Sequence, residues 1–183
     1  EDNSDYIIKS GRNEYLKAHI PGAIFIDLQK ELSIADESIR FKFPSKEIFF
    51  NFLEKYNINN KHKIIFYSND IHYWATRAWF IFYFYGFDNI FVLNGGLQNW
   101  INKNYPTSTI NVDKNIGNFD KKIKLIEKSV HLIGYEELKQ RVEENSSIII
   151  NALTSKQHYG IGGIHYGRKG HIKNSISIPA AKN

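Results

Sequence analysis

Two amino acids are missing outright from this 183-residue chain, cysteine and methionine. Without cysteine it forms no disulfide, offers no thiolate to a metal and holds no thiol nucleophile. Without methionine, the initiator included, it is expected to represent a processed or trimmed polypeptide. No apolar run approaches the roughly twenty residues a membrane span needs. The nearest, YWATRAWFIFYFYGF, is shorter and contains Arg77. The opening EDNSDY is acidic and polar, so no secretory leader is expected. A basic stripe interleaved with aromatics is lacking as well. The net charge is +5 and the pI near 9.2, but the lysines are scattered and DKKIKLIEK is their densest run. A nucleic-acid partner is therefore not expected, whereas small anions stay open as ligands.

What is present is apolar and aromatic: 42% of residues are hydrophobic and 15% aromatic, enough for a substantial core. In FPSKEIFFNFLEKYNI, Pro44 and Ser45 mark a helix start, and Ile48, Phe49, Phe52, Leu53 and Tyr56 follow at helical spacing. IIFY at 64–67 and IFVL at 90–93 are short all-apolar runs, which predicts strands buried on both faces of a parallel sheet. Between them WATRAWFIFYFYG is apolar on nearly every side. It predicts a buried helix closed by Gly86, although its aromatic content also fits a strand. Gly95 and Gly96 turn the chain into a further helix at LQNWINK. Alternating short helices and strands indicate an α/β fold with helices on both faces of a doubly wound parallel sheet. Residues 105–122 lack periodicity and are rich in turn formers, which predicts a linker. A second round follows: a helix at GYEELKQRVEEN with Tyr135, Leu138 and Val142 inward, a strand at SIIINAL, a long glycine-rich loop, and HIKNSISIP. Domains are expected at 1–104 and 123–183, the second incomplete.

A repeat ties the two halves together. AHIPGAIFID at 18–27 and GHIKNSISIP at 170–179 share the pattern His-Ile-x-x-small-Ile-x-Ile. The stretch EYLKAHIPGAIFID resembles the signature near the start of rhodanese domains, the thiosulfate and 3-mercaptopyruvate sulfurtransferases. The block IIFYSNDIHYWATRAWFIFYFYGFDNIFVLNGGLQNW is similar to the centre of such a domain, and GRKGHIKNSISIP to a degenerate second copy of its first motif. The resemblance implies a tandem protein of two small rhodanese-like units. In that family the first domain is usually inert, and the second carries a cysteine on a loop after a strand. That cysteine takes sulfur from a donor as a persulfide and passes it to an acceptor such as cyanide or a thiol. No metal or organic cofactor is implied. Expected partners are a small anionic sulfur donor, a thiol or cyanide acceptor, and the other domain across an intramolecular interface. The expected setting is the cytoplasm, or a mitochondrion if the source is eukaryotic.

The chain departs from the family at the decisive place. The active-site-type loop of the first half, Ser68, Asn69, Asp70, Ile71, His72 and Tyr73, begins with a serine where many first domains have aspartate. A hydroxyl cannot hold a persulfide, so the cysteine is expected beyond Asn183 and the chain alone is expected to be inactive. His19 has two readings: a pin for its turn, or the proton relay proposed for the matching histidine of some mercaptopyruvate-type relatives. No aspartate is placed to orient it, and Glu14 is a loose substitute. Arg168 and Lys169, just before the second repeat, match a family loop that contacts the substrate anion. Arg12 could approach the same cleft. Arg77 either holds an anion above the 68–74 loop or serves carbonyls and carboxylates within the fold. Trp74 lies near enough to line a pocket, while Trp79 and Trp100 read as packing.

Three other readings compete. GIGGIHYG puts His165 where a nucleotide-binding loop needs its third glycine, and lies too far past its strand. His158, His165 and His171 suggest a metal site, but at spacings of seven and six they lack the ligand logic of known motifs. A cysteine phosphatase on the same fold fails for want of the thiol. From a different class, a rhodanese-like binding module without catalysis fits Ser68 and the asparagines Asn94 and Asn151, where relatives often have aspartate.

Overall fold

The computed structural model describes residues 10–36, 41–69, 72–114, 117–163 and 167–180. They fall into two compact units, residues 10–129 and residues 130–180.

The first unit begins with α1 (Arg12–Lys17) and the single turn α2 (Leu28–Glu31), capped by Asp27 accepting from the Lys30 N–H. Helix α3 (Lys46–Tyr56) starts where its sequence signals it. The Ser45 hydroxyl accepts from the Ile48 N–H, and Asn57 at φ 53° closes the far end in a left-handed cap. Strand β1 (Ile64–Phe66) pairs in parallel with β2 (Ile90–Val92), Ile64 against Ile90 and Phe66 against Val92. Helix α4 (Tyr73–Phe84) crosses between them and packs on both strands, so the helical reading of its aromatic sequence holds. Its core face is Ala75, Ala78, Ile81, Phe82 and Phe84, and Gly86 at φ 90° releases the chain. Helix α5 (Gly96–Asn102) follows β2 directly.

The core is a stack of aromatic rings. Phe82 meets Phe49, Phe52, Phe66 and Phe87 at centroid distances of 4.9–6.0 Å, all near edge-to-face. That geometry lets the positive ring edge meet the negative face, adding to the gain from burial. The sheet differs from expectation in one respect. Ile65 and Phe91, neighbours across β1 and β2, are 56% and 46% exposed, so among the described residues the strands are covered on one face rather than two.

The expected linker is a strap on the first unit. Ser108 exchanges both main-chain hydrogen bonds with His19, at 3.0 and 2.8 Å. The Val112 N–H donates to the Tyr15 hydroxyl, and Phe119 packs on Phe50 at 5.5 Å. Leu125 is buried, and the N–H groups of Ile126 and Lys128 donate to carbonyls at the end of α4. The boundary between the units therefore falls after Ser129, not at 104. A turn-rich composition records the absence of a ladder of its own, and it says nothing about side chains filling another element's groove.

The second unit comprises a short 3-10 turn (Ser129–His131), α6 (Tyr135–Glu143), β3 (Ile150–Asn151), α7 (Ser155–His158) and β4 (Ile176–Ser177), with β3 and β4 parallel. Helix α6 forms as predicted, but Tyr135 is 81% exposed rather than inward, and Leu138 and Val142 are half-buried. Ile148, Ile150, Ile176 and Ile178 are exposed as well. The apolar pattern of this unit finds no complete cover among the described residues.

The repeated His-Ile motif makes the same turn twice. The Ala23 N–H donates to the Ile20 carbonyl and the Ser175 N–H to the Ile172 carbonyl, each at 3.0 Å. The third residue is left-handed in both, Gly22 at φ 79° and Asn174 at φ 64°. Glycine and asparagine tolerate that conformation best, which explains their equivalent places in the repeat. No helix among the described residues is long and apolar enough to cross a membrane.

Candidate functional site

The loop after β1 is held at three points. At its start the Tyr67 hydroxyl accepts the Ile20 N–H at 3.1 Å, tying it to the first His-Ile turn. Burial raises the Tyr67 phenol above the ordinary tyrosine value, and that hydrogen bond works in the opposite direction. Next, the Ser68 carbonyl accepts the Leu97 N–H at 3.0 Å, so it occupies the first turn of α5. Gly96 sits at φ 54°, and a Cβ there would lie 2.4 Å from the Ser68 oxygen. Only glycine lets the two backbones approach this closely. At the far end His72 precedes α4, and its carbonyl accepts from both the Thr76 N–H and the Thr76 hydroxyl. Asn69 and Tyr73 are exposed, Ser68 and His72 half-buried; Asp70 and Ile71 lie outside the described residues.

His19 is 1% exposed and stacks on Tyr15 at 3.9 Å. Its Nδ1 is 2.7 Å from the Tyr15 carbonyl and its Nε2 3.1 Å from the Ile110 carbonyl. Both nitrogens thus face main-chain acceptors, one on α1 and one on the strap. Glu14 pairs with Lys17 at 2.7 Å and does not orient the imidazole. The geometry makes His19 a fastener between α1 and the strap.

The arginines disperse. Arg12 donates to Asn111 Oδ1 at 2.8 Å, and its guanidinium lies over the rings of Tyr15 and Phe25 at 5.8 and 5.5 Å. Arg77 reaches the Phe41 carbonyl and ring rather than the Ser68 loop, and burial lowers its pKa. Trp74 follows it, packing on Phe41 at 5.0 Å. Trp79 donates to the Ile90 carbonyl and Trp100 to the Pro106 carbonyl. Arg168 and Lys169 belong to the second unit, exposed and without an ion pair to any described residue. The structure thus gathers the His19 turn and the Ser68 loop through Tyr67, and sends Arg77 elsewhere.

In the second unit His158 and His171 stack face to face at 3.8 Å with 11° between planes. Parallel rings hold their in-plane lone pairs side by side rather than converging on a point, so this pair does not form a chelate. His165 lies outside the described residues. Nothing in the sequence pattern foretells this stack, because the partners are 13 residues apart on either side of the glycine-rich loop.

The first half of the chain, residues 10–103, matches the profile of the Rhodanese-like domain. The chain is 24% identical over 179 residues to a thiosulfate sulfurtransferase of Mus musculus, covering 93% of this chain and 58% of that protein. It is 26% identical over 172 residues to a 3-mercaptopyruvate sulfurtransferase of Escherichia coli, covering 91% and 58%. A thiosulfate sulfurtransferase of Bos taurus is 30% identical over 103 residues, covering 55% and 34%. The chain thus spans between a third and three-fifths of the length of these relatives. Among solved structures, the E. coli 3-mercaptopyruvate enzyme SseA superposes with a TM-score of 0.77 at 21% identity, covering 98% of this chain and 66% of that one. Tum1 of Saccharomyces cerevisiae superposes with a TM-score of 0.80 at 17% identity, covering 94% and 59%.

Proposed function

The chain belongs to the rhodanese family, and from that premise we propose that it is the cysteine-free part of a tandem sulfurtransferase. The reaction moves sulfane sulfur from thiosulfate or 3-mercaptopyruvate to cyanide or a thiol through a cysteine persulfide. The persulfide forms when a thiolate attacks the donor's outer sulfur, the donor's bond to that sulfur breaks, and sulfite or pyruvate leaves. The acceptor then takes the outer sulfur and restores the thiolate. The thiol comes from outside these 183 residues, since the chain contains none. Arg168 and Lys169 attract the anionic donor from the second unit, exposed and without ion pairs among the described residues. The single observation that carries this reading is the similarity to sulfurtransferases, which runs through both units in order.

The test is a thiocyanate assay with thiosulfate and, separately, 3-mercaptopyruvate. The full-length gene product is compared with this 183-residue chain as the cysteine-free control. Turnover is expected only from the full-length product. Turnover by the control, or none with either donor from a product carrying a cysteine loop, refutes the proposal.

A second reading, a binding module without catalysis, is favoured by the Ser68 carbonyl. That oxygen is already committed to the Leu97 N–H, so the loop opening functions as a cap on α5. Calorimetry of this chain with thiosulfate separates the two. Saturable binding that is lost in R168A but kept in S68A supports a donor site on the second unit. Binding lost in S68A instead places it on the loop.

A further inference from the structure

Three side chains meet in the second unit at a point that sulfur transfer does not use. Asn151 ends β3, His158 ends α7, and His171 opens the second His-Ile turn. The Leu153 N–H donates to Asn151 Oδ1 at 3.0 Å, which fixes the amide. Its Nδ2 therefore faces His158 Nδ1, at 3.1 Å. An amide NH2 group only donates, so His158 Nδ1 accepts and this ring is neutral, with its proton on Nε2. His171 Nδ1 lies 2.7 Å from the His158 main-chain carbonyl, an acceptor, so His171 carries a proton on Nδ1. His158 is 4% exposed beneath the His171 ring. Beside the stack the loop's two ends touch: Gly160 has φ 69°, and a Cβ there would meet the Gly170 nitrogen at 3.2 Å.

The groups facing this cluster are one phenol and several cations. Tyr159 stands edge-on to His158 at 5.0 Å, Lys156 lies on the same helix, and Lys169 borders Gly160. No carboxylate pairs with either imidazole among the described residues. A proton added at His158 Nδ1 would point an N–H at an NH2 group and bring a cation against the His171 face. Burial first, and His171 second, hold the His158 titration below the ordinary histidine range.

We propose that Asn151, His158 and His171 form a proton-sensitive clasp. It closes the glycine-rich loop 159–170 while His158 is neutral and opens it when His158 is protonated. The clasp stands apart from the transfer reading, although Arg168 and Lys169 ride on the loop it closes.

The experiment is imidazole 15N NMR on the 183-residue chain through an acid titration, with amide exchange read at 159–163. Near neutral pH, His158 is expected as the Nε2–H tautomer and His171 as the Nδ1–H tautomer. Protection of the loop amides should fall about tenfold or more as His158 titrates. H165Q assigns the remaining loop histidine. N151D turns the donor into an acceptor, and should raise the His158 midpoint by about one unit or more. H171F keeps a stacked ring without its charge and should raise it less. An Nδ1–H tautomer at His158 in the unsubstituted chain, or loop protection unchanged through its titration, overturns the proposal even if a variant does not fold. So does an unmoved midpoint in a folded N151D.

Discussion

Replacing Gly96 by alanine should damage the fold far more than replacing Gly22, although both glycines are left-handed. The φ values are 54° for Gly96 and 79° for Gly22. The first is close to the left-handed minimum that other residues reach at about +57°, so backbone strain alone would make Gly96→Ala the milder change. Strain of this kind costs about 1–2 kcal/mol at either site. Space reverses the order. A Cβ at Gly22 meets nothing within 4 Å, whereas one at Gly96 lies 2.4 Å from the Ser68 oxygen. That is roughly 1 Å inside an ordinary C···O contact. The nearest atom is backbone, so the loop and α5 must part. The Leu97–Ser68 hydrogen bond is then lost, a further contribution of about 1 kcal/mol. The expected destabilisation is about 2–4 kcal/mol for Gly96→Ala and about 1 kcal/mol for Gly22→Ala. Urea unfolding followed by tryptophan fluorescence reads this cleanly, because Trp74, Trp79 and Trp100 all belong to the first unit. Equal midpoints for the two variants, or a lower midpoint for Gly22→Ala, would show that the Ser68 loop does not rest on α5.

The remaining expectations use the same signal or a simple pH scan. His19→Phe keeps the stack on Tyr15 but leaves the Tyr15 and Ile110 carbonyls without their donor. It should cost about 2–4 kcal/mol in urea unfolding, and a neutral result would remove the histidine's fastening role. Phe82→Ala opens the centre of the aromatic stack and should cost about 3–5 kcal/mol; a loss under about 1 kcal/mol would mean the core repacks. Tyr56 and Tyr85 are both raised to about 12, chiefly by burial. Their hydroxyls donate to Glu31 Oε1 and to the Pro44 carbonyl. Their folded values exceed the unfolded value near 10, so their stabilisation is complete below about pH 10 and is lost as the pH climbs through about 12. Tyr56→Phe should flatten that alkaline decline in the denaturation midpoint, and an unchanged slope would contradict it.

The absence of a thiol and the use of Ser68 point in one direction. The loop after β1 spends its carbonyl on α5, its neighbouring tyrosine on the His-Ile turn and its final carbonyl on Thr76. Each contact that stiffens the loop also occupies a group that a ligand would otherwise take. The exposed cations of the loop 159–170 are free of that commitment, which is why donor binding is assigned to the second unit.

Local chemistry was readable from the chain alone wherever one short segment decided the outcome. Pro44 and Ser45 announce α3, Gly86 ends α4, and the paired glycines at 95 and 96 turn β2 into α5, because caps and left-handed positions restrict residue type on their own. The repeated His-Ile motif likewise marks one turn built twice, since only a few residues tolerate its third position. The missing thiol needs no coordinates at all. Contacts between distant segments were not readable. The strap at 105–125 looks like a linker until Ser108, Val112 and Leu125 are seen against α1 and the core. Arg77 looks ready for an anion until Phe41, 36 residues away, takes it. Tyr135 carries the right apolar character at the right helical position yet faces outward, because burial needs an opposing surface as well as a periodic pattern. The protonation pattern of the Asn151–His158–His171 cluster rests on where a main-chain N–H at Leu153 points, a vector that exists only once β3, α7 and the second turn are folded together.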